Sequence, residues 1–356
     1  RPPRSTLSSS SAASDVYKRQ HYDGEVKGNT VLRPGEADAG VVAPIPDSLV
    51  GMAASVDGNP RYCRTDPYLG AVWAVLEAVR NVACVGASPA AVTDCLNYGN
   101  PEVPEVFHSF VEGVRGIGDA CRGLGRLEAP HEALPVISGN VSFYNQSARG
   151  RAVAPSPIIC CVGTLPDVSV CRSLSFKEPG HHLYRVGRFA EALGGSLYAQ
   201  HVDPRWSGPL PGVDFAALRA ELAAVVELIR EGLIVACHDV SEGGTLGALA
   251  EMSLGPESRG GRGCRVDLSA AVDAVGWAGA AFGEAGAFLV EVAAEDAPRL
   301  RERVAREGGW CAALGEVIDE PVLEVDGLPH PCRIDLADLA VARERPLFDL
   351  LSREEP

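Results

Sequence analysis

Apolar positions recur at helical spacing between Asp66 and Gly86, where Val72, Val75, Leu76, Val79 and Val82 fall on one side and Gly86 ends the run. A second helix is predicted over Pro104 to Gly123, with Val106, Phe107, Phe110, Val111, Val114 and Ile117 on one face. Short apolar runs bounded by Gly, Pro, Asn and Ser read as buried strands: "AAVTDCLN" from Ala90 to Leu96, "PVISGNVS" from Pro135, and "SPIICCVGTL". Strands and helices thus alternate through residues 40 to 166. The pattern loosens around Asp167 to Gly180 and resumes with the strand "HHLYRVG", a helix over Asp214 to Gly232, the strand "LIVACHDVS" and a helix from Gly243 to Leu254. "AFLVEV", a helix over Ala297 to Gly308, "AALGEVI" and "VLEVDG" complete the series. The expected fold class is α/β, in two layered units over residues 21–170 and 175–345.

The first 20 residues, Ser-rich, basic and without periodicity, are expected to lie outside the fold as a non-native start, with the first true residue near His21. On that expectation the chain is a fragment. The formal net charge of −15 argues against nucleic acid as a partner, since phosphate backbones are held by Lys and Arg. No apolar stretch reaches the roughly 18 residues of a membrane helix. Lysine occurs only at 18, 27 and 177, never in a G-x-x-x-x-G-K setting, which removes P-loop and protein-kinase chemistry. Eleven cysteines without a C-x-x-C, most within apolar runs, point to reduced core thiols and a cytoplasmic protein. No G-x-S-x-G or supported Cys–His pairing appears.

Several polar groups interrupt this apolar pattern. Glu77 and Asn81 stand four apart on the first helix and point the same way; two oxygens so placed suit Mg²⁺, though a solvated helix face accounts for them equally well. Asp38, just ahead of a strand, offers a third oxygen. "TDCLNYGNP" ends a strand on Asp94, Asn97, Gly99 and Asn100, either as a tight turn or as a site. "SGNVS" repeats the logic with Gly139, Asn140 and Ser142. If the two strands are neighbours, their polar ends converge at one sheet edge, where α/β proteins place ligands. "HDVSEGG" places His238, Asp239, Ser241, Gly243 and Gly244 at a helix start, whose free N–H groups form an anion cradle or an ordinary N-cap. His238 reads as hydrogen-bonded structure rather than a base.

Taken together, "YDGEVKGNTV", "AVTDCLNYGNPEVPEVF", "PVISGNVSFYNQ" and "HDVSEGGTLGALAEM" resemble the large, ATP-using subunit family of phosphoribosylformylglycinamidine synthase, from about Tyr22 to Leu350. Family members hold two such halves in tandem, and the chain is similar to the second. The resemblance implies a PurM-like half: a ferredoxin-like α/β domain contributing to a central barrel, then a three-layer α/β domain. It implies phosphorylation of the amide oxygen of formylglycinamide ribonucleotide by ATP with Mg²⁺, and displacement of phosphate by ammonia from a glutaminase partner, with or without a small third subunit. By resemblance Asp94 and Gly139 contact ATP, Asn140 binds Mg²⁺ and Ser142 touches substrate; Glu77, Asn81 and Asp38, with Asp239 added, form a metal group around a nucleotide. Ser241, Gly243 and Gly244 are expected at a substrate anion. The family's catalytic histidines and ATP lysine belong to the missing first half, so the chain alone is expected not to turn over. Two rivals stand beside this: a non-catalytic half that holds nucleotide, and a sibling enzyme such as aminoimidazole ribonucleotide synthase or a thiamine phosphate kinase. Where relatives tend to carry Glu-Ser-Gln, this chain has Glu284-Ala285-Gly286, which removes any assured role for that segment.

Overall fold

The computed structural model describes residues 28–33, 35–147, 149–202, 208–255 and 261–351. The expectations for residues 1–20 and for the start of "YDGEVKGNTV" lie outside the described residues. The first part of the chain runs β1 (Thr30–Leu32), β2 (Gly40–Val42), β3 (Gly51–Asp57), α1 (Pro60–Thr65), α2 (Pro67–Cys84), β4 (Ser88–Asn97), α3 (Pro104–Leu124), β5 (Val136–Ser142) and β6 (Ser156–Leu165). Its six strands form one sheet in the order β1-β2-β3-β6-β4-β5, in which β4 and β5 are the parallel pair.

The second part runs β7 (His182–Val186), α4 (Leu197–Val202), α5 (Phe215–Arg230), β8 (Ile234–Asp239), α6 (Gly244–Leu254), β9 (Gly263–Asp267), α7 (Ser269–Phe282), β10 (Phe288–Val292), α8 (Ala297–Glu307), β11 (Cys311–Ile318), β12 (Val322–Asp326), β13 (Cys332–Asp335) and α9 (Leu336–Leu351). Seven strands pair in the order β13-β12-β9-β11-β7-β10-β8. The mixed α/β class is as expected.

Helix α2 explains how the two sheets share a core. Asp66 caps it, accepting from the Leu69 N–H at 2.9 Å, and Pro67 opens it without losing an intrahelical bond. Its buried residues run almost all the way round, as a helix enclosed on every side requires. It packs on β3 and β6 of the first sheet and on β8 and α5 of the second. Arg80 and Asn81 on α2 are therefore buried at the seam between the sheets.

Two expectations are corrected here. The strand at Val136–Ser142 was expected to be buried; it is the exposed edge strand β5, with Ile137 65% accessible. On α3, Ile117 is buried, but Phe107, Val111 and Val114 face outward. Alternation along β3 leaves Met52 and Val56 exposed on the sheet face away from α2, with Val56 65% accessible. Among the described residues no helix is long and apolar enough to cross a membrane, and all eleven cysteines are free thiols.

Candidate functional site

The register of the first sheet brings four residues into one row: Asp57 on β3 pairs with Ile159 on β6, Ile159 with Asp94 on β4, and Asp94 with Gly139 on β5. Residues paired across a sheet share a face, and here it is the face on which α2 packs against β3, β6 and β4, with Gly139 at its exposed edge. Asp94 and Gly139 thus meet side by side, and a Cβ at Gly139 would fall 2.5 Å from Asp94 Oδ1. Asp94 sits within β4 rather than at its end, and partial burial raises its carboxyl above the usual range.

Alternation then separates the expected metal ligands. Asn140 and Ser142 belong to the opposite face from Gly139, the face that carries Val56. Asn140 is exposed there, and Ser142 Oγ is hydrogen-bonded to the Asn145 side chain. Glu77, Asn81, Asp38 and Asp239 gather on the α2 side. The five groups expected to bind metal therefore form two sets on opposite faces of one sheet, and cannot surround a single ion.

The set on the α2 side is a cluster at the seam. Arg80 and Asn81 follow Glu77 by three and four residues, so all three present to one side of the helix. Asn81 Nδ2 donates to Asp57 Oδ2 at 3.1 Å, and Arg80 Nη2 lies 3.5 Å from Asp239 Oδ2. Asn81 Oδ1 and Arg80 Nε and Nη1 are buried with no hydrogen-bond partner, and Asp239 Oδ2 has none beyond that ion pair. Burial pushes Asp57 up to about 6, against the Asn81 hydrogen bond and Arg80. It pushes Asp239 to about 7 despite Arg80, while burial and then Asp239, Glu242 and Asp57 hold Glu77 well above the carboxylate range. Buried carboxylates crowded round too little positive charge, with carbonyl and carboxylate oxygens left over, are a donor set that fits a hard divalent cation.

Asp38 adjoins this cluster without a free oxygen pair: Oδ1 meets His238 Nδ1 at 2.5 Å and Oδ2 accepts the Asp239 N–H at 3.0 Å. His238 Nε2 contacts Glu251 at 2.8 Å. Burial alone would lower the His238 pKa, but Asp38 and Glu251 outweigh it and hold the ring protonated. His238 is therefore a structural bridge, as expected, and Asp38 serves it.

The α6 cradle is corrected outright. The Gly243 N–H, expected to be free for a substrate anion, donates to Glu284 Oε1 at 3.0 Å; the Leu197 N–H donates to the same oxygen at 2.8 Å. Arg61 lies 3.5 Å from Glu284 Oε2. The Gly244 N–H bonds the Ser241 carbonyl at 3.0 Å, and Ser241 Oγ donates to Asp239 Oδ1 at 3.3 Å. A carboxylate from the chain itself fills the place of the anion and ties α1 to α4 and α6.

Asp57, Arg80 and Glu284 were missed by sequence reasoning. Asp57-Gly58-Asn59-Pro60 carries the same strand-end signature as the two polar strand ends that were recognised, but β3 was not seen as a strand. Arg80 lay in plain sight between Glu77 and Asn81.

The raised carboxyls predict a pH dependence. Between about pH 4, where they titrate in the unfolded chain, and pH 7, the folded protein binds more protons than the unfolded one, so stability falls as pH rises. Glu221, raised by burial to about 7, and His238, whose charged form the fold favours, act in the same direction. Metal-free protein is expected to melt several degrees higher at pH 5 than at pH 8 by circular dichroism. An equal or reversed order would refute it.

The two sheets, the shared helix and the seam cluster define the class. Residues 36–165 match "AIR synthase related protein, N-terminal domain" and residues 178–327 match "AIR synthase related protein, C-terminal domain". The chain belongs to the AIR synthase related family. Within it the chain is similar to phosphoribosylformylglycinamidine synthase subunit PurL of Methanothrix thermoacetophila, 44% identical over 81% of this chain and 37% of that relative. The chain thus spans less than half the length of that relative. Among solved structures, T. maritima PurL complexed with FGAR superposes with TM-score 0.69 at 19% identity, covering 86% of this chain and 48% of the other. T. maritima PurL complexed with ATP gives TM-score 0.64 at 20% identity, over 82% and 44%. At such identities the superpositions establish the fold.

Proposed function

We propose that the chain is the second half of a phosphoribosylformylglycinamidine synthase large subunit. With the first half, it would convert formylglycinamide ribonucleotide, ATP and ammonia to the amidine in purine biosynthesis. The observation that carries this reading is the Asp94–Gly139 contact on the sheet edge. Gly139 offers bare backbone and Asp94 an acceptor, while Asn140 and Ser142, one and three residues on, belong to the open face. A nucleotide at an edge strand reaches both faces, so Asp94 and Gly139 would hold it from one side. Asn140 would hold its Mg²⁺ and Ser142 the substrate from the other. The uncovered Met52 and Val56 support the placing of the first half against that face.

The seam cluster would hold a further Mg²⁺ through Glu77, Asn81 and Asp239, with Asp38 bracing Asp239 through its N–H. Magnesium there would neutralise polyphosphate charge. Arg80 meanwhile keeps the carboxylates together, and α2 and β8 exclude water. The burial of this cluster favours a second reading, in which its nucleotide is held permanently and braces the protein.

Joint expression with the first half tests the proposal. The pair is expected to form amidine from substrate with ATP and ammonia, and the chain alone to form none. Turnover by the chain alone, or none by the pair, would refute it. Nucleotide that stays bound through gel filtration of an inactive pair would select the second reading. A glutaminase partner supplying the ammonia, a small third subunit and a cytoplasmic setting belong to the same proposal.

A further inference from the structure

Asp57 is not among the residues that resemblance assigns, yet it touches one of them. We infer that Asp57 is a positioning residue, which fixes the amide of Asn81 so that its carbonyl oxygen faces the metal site of the seam cluster. This rests on the reading of that cluster as a divalent-cation site.

A carboxylate only accepts, and an amide has one accepting and one donating end. Asp57 Oδ2 lies 3.1 Å from the Asn81 amide, so the nitrogen must face Asp57 and the oxygen must point away. That oxygen, Oδ1, is buried and without a partner, and Asn81 is only 8% exposed. A buried carbonyl left without a partner is costly, and a bound cation would recover that cost. The arrangement is assembled from two elements. Asp57 is the last residue of β3, held in register by Ile159 on β6, and Asn81 stands one turn beyond Glu77 on α2. Ser55, two residues earlier on β3, donates to the Ala78 carbonyl at 2.7 Å and locks β3 to the same stretch of α2. The strand thus sets the amide orientation, and the helix supplies the amide. Without the Asp57 acceptor, either end of the amide could face the cation, and half of those arrangements would present N–H groups to it.

A double-mutant cycle separates positioning from direct ligation. Mn²⁺ binding to the full chain is measured by electron paramagnetic resonance at pH 8, with melting curves as a check on folding. Asp57→Asn is expected to weaken Mn²⁺ binding about tenfold when Asn81 is present, and no more than threefold in the Asn81→Ala background. Should Asp57→Asn fail to fold, Asp57→Ser takes its place in the same cycle, being small and unable to span to the amide. Equal weakening in both backgrounds would make Asp57 a direct ligand or a general source of field, and would overturn the inference alone. Unchanged binding in Asp57→Asn would do the same. A parent chain that binds no Mn²⁺ at millimolar concentration would overturn the metal reading itself, and this inference with it.

Discussion

Gly139→Ala is expected to lower the affinity of the chain for Mg-ATP by ten- to a hundredfold, as much as Asp94→Ala, while leaving the melting temperature nearly unchanged. The equivalence is the point. Asp94→Ala removes a charged acceptor, worth about 1.5–3 kcal/mol when hydrogen-bonded. Gly139→Ala removes nothing, but its Cβ would come within 2.5 Å of Asp94 Oδ1 and 2.8 Å of Cγ. The carboxylate must swing away, and the bare backbone beside it is covered at the same stroke. Because β5 is an exposed edge, the fold loses little. Ile137→Thr, on the same strand and outward-facing, is the control and should bind as the parent does. Calorimetric titration decides it: a Gly139→Ala chain with parental affinity would remove the edge of the sheet from the nucleotide site.

The second large effect is on stability. Gly286→Ala is expected to destabilise the fold by about 2–5 kcal/mol in urea denaturation, combining left-handed backbone strain with overpacking. Gly286 has φ +68°, and a Cβ there would lie 2.5 Å from Arg80 Nη1 and 2.6 Å from Cζ. Arg80 cannot retreat, since it is 2% exposed and lies over the Trp73 ring. Arg80→Ala should reduce the added cost of Gly286→Ala to about 1 kcal/mol, the backbone part. An undiminished cost would show that the guanidinium does not fill that space. Gly286 thus leaves room for an arginine from the helix that the two sheets share.

The same segment shows what could be read in advance and what could not. Glu284 sat in the sequence as a departure with no role, and Gly243 as a helix start with free N–H groups. Each was assessed alone, because nothing local relates two residues 41 apart; only folding reveals that one is the anion for the other. The separation of Asn140 from the Glu77, Asn81 and Asp239 group was hidden for a related reason. Residue types told which oxygens suit Mg²⁺, but Asn140 differs from Gly139 by one step along a strand, and one step reverses the face. Asp57 was missed because the outward face of the strand before it carries Met52, Ala54 and Val56, so the apolar–polar alternation that marks a half-buried strand is absent. Where the signal was long, as in α2 and α3, element and limits were recovered to within two residues.

By itself the sequence determined the α/β class, the long helices, the strands that end in polar groups and the kinship that these motifs carry. Such features are written locally, in periodicity and in residues whose backbone or donor chemistry suits few settings. The tertiary structure alone decided which polar groups share a face, which N–H is already satisfied, and that Asp57, Arg80 and Glu284 belong to the story. Those are facts of register and of contact between distant segments. They depend on how α2 is clasped between two sheets, and no short stretch of chain contains that information.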